Sequence, residues 1–296
     1  MLVTVLTPAY NRSNQLRNLY NSLIKQSNKD FEWLVVDDGS KDDTEAVINS
    51  FIKENEIAIS YIKKENGGKH TALNIGIKKS NGELIFIVDS DDILTSDAIE
   101  SISLMHQKYK NNTRICGFSF LREFPDGRIN GNEFSQNELI DTFINVRINS
   151  NDMYSDKAEI YYTKCLKEFP FPEFANEHFL GEDVVWVEMS RKYKMVHINE
   201  PIYIGEYQTD GLTKNRRINN IRSPRGCTLR ANLYLKNDIN IKFREKCALQ
   251  YLIYGWFAKK NTASLIRECN QPLLAIINLL PARLIYLKWR KLIKEN

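Results

Sequence analysis

No two cysteines stand close enough in this chain to suggest a metal ribbon or a stapled fold. The five of them (Cys116, Cys165, Cys227, Cys247 and Cys269) are odd in number and widely spaced, with no Cys-x-x-Cys pair. That is the pattern of reduced thiols in a cytosolic protein, not of a disulfide framework or a zinc site. Long apolar runs are missing as well. The best candidate, Leu273 to Leu287, is broken by Asn278, Pro281 and Arg283 and is too short to span a bilayer. Met1 leads directly into an apolar, strand-like run without a basic leader, so no signal peptide is expected. Neither internal repeats nor low-complexity segments occur.

What is present fits a folded protein of substantial core. With 296 residues, 43% of them hydrophobic and 11% aromatic, the chain can build one large domain or a domain with an appendage, and global disorder is excluded. Its net charge of +4 conceals an asymmetry: residues 1–215 hold 24 Lys+Arg against 33 Asp+Glu, and residues 216–296 hold 17 against 4. Two regions of opposite sign imply two tasks. The expected division is therefore 1–215 as the principal domain and 216–296 as a helical, basic C-terminal region.

The first hundred residues alternate in period. Strand-like runs at Leu2–Thr7, Phe31–Val36, Ile57–Ile62 and Glu83–Val88 are separated by segments with apolar residues at helical spacing, such as Leu16, Leu19, Tyr20, Leu23 and Ile24. This order predicts an α/β fold with a parallel sheet and right-handed crossovers. Beyond residue 110 the pattern loosens. Strands are expected at Ile115–Leu121, Ile160–Cys165, Val196–Ile198 and Tyr203–Ile204, a helix from Glu182 to Tyr193, and helices with basic faces after about residue 216.

The fourth strand-like run, Leu84-Ile85-Phe86-Ile87-Val88, ends in Asp89-Ser90-Asp91-Asp92. Ligands of open α/β sheets bind at the carboxyl ends of the strands. Alternation along an extended chain would place Asp89 and Asp91 on one side. Two like charges that close repel unless a cation lies between them or one takes up a proton. A hard divalent ion such as Mg²⁺ or Mn²⁺, itself carrying a phosphate, relieves the repulsion. A solvated acidic turn capping the next helix is the alternative from these residues alone.

Three further loops follow the earlier strands. Thr7-Pro8-Ala9-Tyr10-Asn11-Arg12 offers backbone groups and an aromatic face, and Asp37-Asp38-Gly39-Ser40 offers carboxylates that can accept from a base or from ribose hydroxyls. Asn66-Gly67-Gly68-Lys69-His70 brings glycines and a lysine to a helix start suited to an anion. Together they form a set of parts for base, ribose, diphosphate and metal.

These motifs in this order resemble the family 2 glycosyltransferases of GT-A fold. The resemblance covers about residues 1–215 and is carried by TPAYNR, VVDDGSKDDT, the N-x-G-x-x-x-A-x-N-x-G spacing of Asn66 to Gly76, DSDD, and Gly181-Glu182-Asp183. It implies a Rossmann-like, mainly parallel central sheet flanked by helices. In that scheme Pro8, Tyr10 and Asn11 frame the nucleotide base, and Asp38 with Asp37 holds base and ribose. Gly68 and Lys69 lie near the nucleotide, as does Ser90 beside Asp89. Asp89 contacts ribose or metal, and Asp91 is the principal ligand of Mn²⁺ or Mg²⁺. The resemblance also makes Asp183 the general base of an inverting transfer from a UDP-sugar, with Glu182 beside it toward the acceptor. Asp92 is open between an acceptor contact and the start of the next helix, and Trp186, one helical turn beyond Asp183, suits the core first and stacking on an acceptor sugar second. Thr213 and Lys214 fall in a segment like the one that closes over the diphosphate in the family.

The implied activity is transfer of a hexose or N-acetylhexosamine to a glycan or lipid-linked glycan in cell-surface polysaccharide synthesis. A nucleotidyltransferase should carry a glycine-rich loop after its first strand, and Pro8 to Arg12 holds no glycine. A non-catalytic sugar-nucleotide-binding protein would not need both Asp91 and Asp183. In the basic tail, Leu279, Leu280, Leu284, Ile285 and Leu287 mix with Arg283, Lys288, Arg290 and Lys291, beside Tyr286 and Trp289. That mixture suits an anionic membrane surface at the cytoplasmic side, with a packing cap or a homodimer contact as alternatives. No nucleic-acid motif accompanies the basic region, so nucleic acid is not an expected partner.

Overall fold

The computed structural model describes residues 1–150, 152, 155–205 and 216–294. It contains two compact units: Met1–Phe171 with Met189–Gln208, and Pro172–Glu188 with Thr209–Asn296. The segment Pro172–Glu188, which charge alone grouped with the first 215 residues, thus clusters with the C-terminal helices.

The first unit begins as a β/α alternation: β1 (Val3–Ala9), α1 (Gln15–Leu23), β2 (Phe31–Asp37), α2 (Thr44–Glu54), β3 (Ala58–Lys63), α3 (Lys69–Lys79) and β4 (Leu84–Ile87). These strands pair in parallel in the order β3-β2-β1-β4. Every residue of β1 and β2 is buried, as expected of strands covered on both faces. Within that layer Glu32 accepts from Thr4 Oγ1 (2.6 Å) and from both the backbone and side-chain nitrogens of Asn81 (2.9 Å each), which offsets the cost of burying it. After β1 the chain builds outward through β2 and β3, then returns to lay β4 on the other side of β1. The carboxyl ends of β1 and β4 therefore lie at a topological switch point.

The remainder of the sheet is mixed. After β5 (Ile93–Leu94) and α4 (Ala98–Tyr109) come β6 (Ile115–Glu123), β7 (Leu139–Asp141), β8 (Lys157–Tyr162), α5 (Thr163–Glu168), α6 (Asp183–Ser190) and β9 (Lys194–Ile204). Strand β8 joins β4 and β6 antiparallel, β9 runs parallel to β6, and β5 and β7 pair antiparallel with β9. The sheet is thus parallel in its N-terminal half and mixed beyond, with most of its paired residues in parallel ladders, as the sequence suggested.

Two boundaries differ from the sequence reading for identifiable reasons. The strand expected at Ile160–Cys165 stops at Tyr162, because its partner β4 begins at Leu84, opposite Tyr162. The chain then turns into α5. The two short strands expected around residues 196–204 are one strand, continuous through Pro201. A register shift against β6, from Phe120–Ile198 to Leu121–Pro201, absorbs the missing N–H of the proline.

The second unit is helical: α7 (Arg216–Arg222), α8 (Pro224–Leu233), α9 (Ile241–Phe257), α10 (Thr262–Glu268), α11 (Pro272–Ile277) and α12 (Leu279–Lys294). Helix α9 is its centre, with Cys247, Ala248, Tyr251, Leu252, Ile253 and Trp256 buried. Asn240 and Asn261 cap α9 and α10 by accepting from Phe243 N and Ser264 N (2.9 and 2.8 Å).

His197, on β9, is buried against Phe134 (ring centroids 4.9 Å apart), with Nε2 3.4 Å from the Asp141 carbonyl oxygen. Burial, reinforced by the charges of Arg147 and Lys157, outweighs Asp141 and lowers its pKa to about 4. The unfolded chain, with an ordinary histidine near pH 6.5, binds the proton first. Stability from this source is therefore complete above pH 6.5 and is lost as the pH falls toward 4, by about 3 kcal/mol in all. Urea unfolding of the wild type and of His197→Leu across this window should show a shallower pH slope in the variant. Equal slopes would refute the assignment.

Candidate active site

Four loops meet at the carboxyl ends of β1, β2, β3 and β4. Pro8 and Ala9 close β1, and Tyr10 stands exposed beyond them. Asn11 adopts a left-handed conformation (φ 52°), which asparagine tolerates better than most residues. Its backbone N–H donates to Ser40 Oγ (2.9 Å) and its Oδ1 accepts from Lys41 N (2.8 Å), tying the first loop to the second.

Asp37 and Asp38 are both buried. Asp37 accepts from Ser40 N (2.7 Å) and from the Tyr61 hydroxyl (2.6 Å). Asp38 accepts from Lys64 Nζ (2.7 Å), Gly67 N (2.9 Å) and Gly68 N (2.7 Å). Asp37 therefore faces inward and braces its turn, where the sequence suggested a nucleotide contact. Asp38 anchors the glycine loop at the start of α3.

The acidic tetrapeptide is a turn rather than an extension of β4, closed by Asp92 N donating to Asp89 O (3.2 Å). The alternation argument for Asp89 and Asp91 thus gives way to turn geometry, yet their charges still repel. Burial, followed by the Asp89 charge, raises the pKa of the half-buried Asp91. Burial also acts to raise that of Asp89, but the Lys69 ammonium, 2.5 Å away, with Arg122 and Arg12 more than offsets it, and the net shift is downward. Ser90 is buried within the turn.

Asp92 is buried and points away from solvent, which removes it as an acceptor contact. It accepts from Arg122 Nη2 (2.8 Å) and from the Tyr203 hydroxyl (2.8 Å), whose oxygen in turn accepts from Asp89 N (2.9 Å). Arg122 also lies over the Tyr203 ring at 4.6 Å. Burial is the largest influence on Asp92 and leaves its pKa raised to about 7 despite Arg122. The packing is so close at Gly205 that a Cβ there would lie 2.2 Å from Asp92 Oδ1 and 2.1 Å from Arg122 Nη2.

Asp183 belongs to the second unit and opens α6. Arg230 from α8 grips its carboxylate, Nε lying 2.9 and 2.7 Å from the two oxygens and Nη2 2.5 Å from Oδ2. The hydroxyl of Tyr234, one helical turn on, donates to the same Oδ2. Gly181 lets the carboxylate fold back, since a Cβ there would lie 2.4 Å from Asp183 Oδ1. Glu182 is half-buried. Trp186 is buried in the unit, so it serves packing and not the sugar stacking that its spacing from Asp183 allowed. Thr213 and Lys214 lie outside the described residues.

Among the described residues no three His, Cys, Asp or Glu side chains converge as a ready-made metal cage. Asp89 and Asp91 fit a different arrangement: two neighbouring carboxylates, one of raised pKa, that hold a hard cation jointly with substrate phosphates. Arg122, Tyr203, Arg230 and Tyr234 were not anticipated from sequence.

An acidic turn thus lies at the switch point of an α/β sheet, beside a lysine at a helix start. The chain belongs to glycosyl transferase family 2, whose sequence model matches residues 4–155. It is 36% identical over 122 residues to RP339, an uncharacterized glycosyltransferase of Rickettsia prowazekii, covering 40% of this chain but 37% of that protein. It is 29% identical over 215 residues to the Streptococcus pneumoniae glycosyltransferase GlyG, covering 69% of this chain and 70% of GlyG. TarS of Staphylococcus aureus, a poly(ribitol-phosphate) β-N-acetylglucosaminyltransferase, is 27% identical over 179 residues, 58% of this chain and 30% of TarS. The structure of TarS 1-349 in complex with UDP-GlcNAc superposes with a TM-score of 0.65 at 20% identity, covering 95% of this chain and 80% of that one. This likeness establishes the GT-A fold.

Tyr203→Phe should lower the unfolding free energy by about 1–3 kcal/mol, because it strips a donor from buried Asp92 and an acceptor from Asp89 N. Denaturant titration reads this directly, and unchanged stability would show the contact to be idle.

Proposed function

We propose that the protein is an inverting glycosyltransferase that moves a hexose or N-acetylhexosamine from a UDP-sugar to a hydroxyl of a glycan acceptor. The observation that carries this reading is the acidic turn after β4, held next to Lys69 at the sheet's switch point in a family 2 chain. The names of GlyG and TarS, and the UDP-GlcNAc bound to TarS, support a nucleotide-sugar donor. In this reading the acceptor is a surface polysaccharide, free or lipid-linked, built at the cytoplasmic face of the plasma membrane.

Chemically, the acceptor oxygen forms a bond to the sugar's C1 on the face opposite the departing UDP. The C1–O bond to the diphosphate breaks, and its electron pair leaves with UDP. The acceptor's proton passes to the Asp183 carboxylate, the general base. Arg230 and the Tyr234 hydroxyl fix the direction of that carboxylate. Asp89 and Asp91 would hold Mn²⁺ or Mg²⁺, which when bound supplies charge neutralisation at the leaving diphosphate. Lys69 adds a second cation on the nucleotide side, and Tyr10 with Asn11 offers the base an exposed ring and a fixed backbone.

Thermal unfolding with Mn²⁺ and a panel of sugar nucleotides tests the donor class. A UDP-sugar at a hundred times its dissociation constant should stabilise the protein by about 2.7 kcal/mol. Asp91→Asn should abolish the metal-dependent part of that shift. Asp183→Asn should keep donor binding but lower acceptor-dependent UDP release by roughly a hundredfold or more. Stabilisation by free nucleotide alone, or full turnover in Asp183→Asn, would overturn the proposal.

A further inference from the structure

The helices α11 and α12 present their large aliphatic side chains to solvent. Leu273 and Ile277 on α11 are 77% and 74% exposed, and Leu280 and Leu284 on α12 are 72% and 62% exposed, with Ile276 and Leu287 also outward. The inner side is made of small and aromatic residues instead. Ala275 and Ala282 are fully buried, Tyr286 packs on Trp256 and Phe257 (centroids 5.6 and 4.8 Å), and Trp289 packs on Tyr254 (6.1 Å). Both sides of α12 are thus apolar in its first turns, which a helix simply capping a domain does not need. Leu280, Leu284 and Leu287 recur at intervals of three and four and form one stripe.

That stripe runs into positive charge. Lys288 and Lys291 continue it one turn further, and Arg283 and Arg290 flank it, all four exposed. From Gln271 to Lys291 there is no Asp or Glu at all. Arg283 is held at the edge of the stripe by the rings of Trp256 and Tyr286, each 5.2 Å from its guanidinium. Among the described residues no helix is long and apolar enough to cross a membrane.

We propose that this face lies flat on an anionic lipid bilayer, its aliphatic stripe in the boundary between headgroups and acyl chains and its four cations on the headgroups. The combination of an exposed apolar stripe with Lys and Arg alone beside it is that of an interfacial helix. Charge decides between this occupant and a second copy meeting through the same face, because a two-fold contact would oppose the basic segment to itself. The inference goes beyond sugar transfer and is read without donor or acceptor, so its failure leaves the transferase reading intact, and the converse holds.

Flotation of the whole protein with vesicles tests it. Binding to vesicles of equal parts phosphatidylglycerol and phosphatidylcholine should exceed binding to pure phosphatidylcholine at least roughly tenfold, and should weaken as salt is raised. Leu280→Asp with Leu284→Asp should cost at least another tenfold at unchanged far-ultraviolet circular dichroism, since both positions are exposed. Lys288→Glu with Lys291→Glu should remove most of the preference for the anionic lipid. Failure of the folded wild type to float, or flotation indifferent to both double variants, overturns the proposal. So does a dimer by light scattering that Leu284→Asp dissociates while no vesicle is bound.

Discussion

Three carboxylates within four residues repel one another, and the first unit is arranged to make that turn tolerable. Arg122 and Tyr203 take Asp92 into the interior, and Lys69 meets Asp89. Asp91 is left half-exposed, under the influence of the Asp89 charge. Each partner comes from a different element: β6, β9 and the start of α3. The sheet order that brings β4, β6 and β9 together is therefore also what allows the turn to carry its charge. A site that receives a diphosphate and a cation needs this preparation, since carboxylates already directed and partly neutralised have less to reorganise when the ligand arrives.

Much of this was legible in the chain. Strands buried on both faces are near-continuous apolar runs, so β1, β2 and β4 and the loops after them could be read directly, and with them the acidic turn. The partners could not. Arg122 and Tyr203 lie 30 and 111 residues from Asp92, and Arg230 lies 47 from Asp183; no local periodicity links them. Asp37 shows a related limit, because a carboxylate at a strand's end looks the same in sequence whether it lines a cleft or braces its own turn. At Trp186 the helical spacing allowed both core packing and an acceptor contact, and burial selects the core. The two-residue β5 has too little sequence to show any period at all.

The strongly basic composition of the C-terminal region resolves into separate uses. Arg230 and Arg225 face acidic partners within their own unit, the latter binding Glu177, which also accepts from Gly226 N near the start of α8 (2.9 Å). Those cations are spent on internal neutralisation. Arg283, Lys288 and Arg290 on α12 stand outward instead. Net charge alone would have treated both groups as one.

The irregular register of β9 has a consequence for how this chain can change over time. Residues Asn199, Glu200 and Ile202 are extra relative to β6, and only after both slips does Tyr203 come opposite Arg122. Side chains alternate between faces along a strand, so losing a single residue between Ile198 and Tyr203 would turn the tyrosine to the opposite face. The stretch must therefore hold its length even where its side chains are free to vary. Substitutions and deletions in it should be tolerated very differently, although it lies over a hundred residues from the acidic turn it serves.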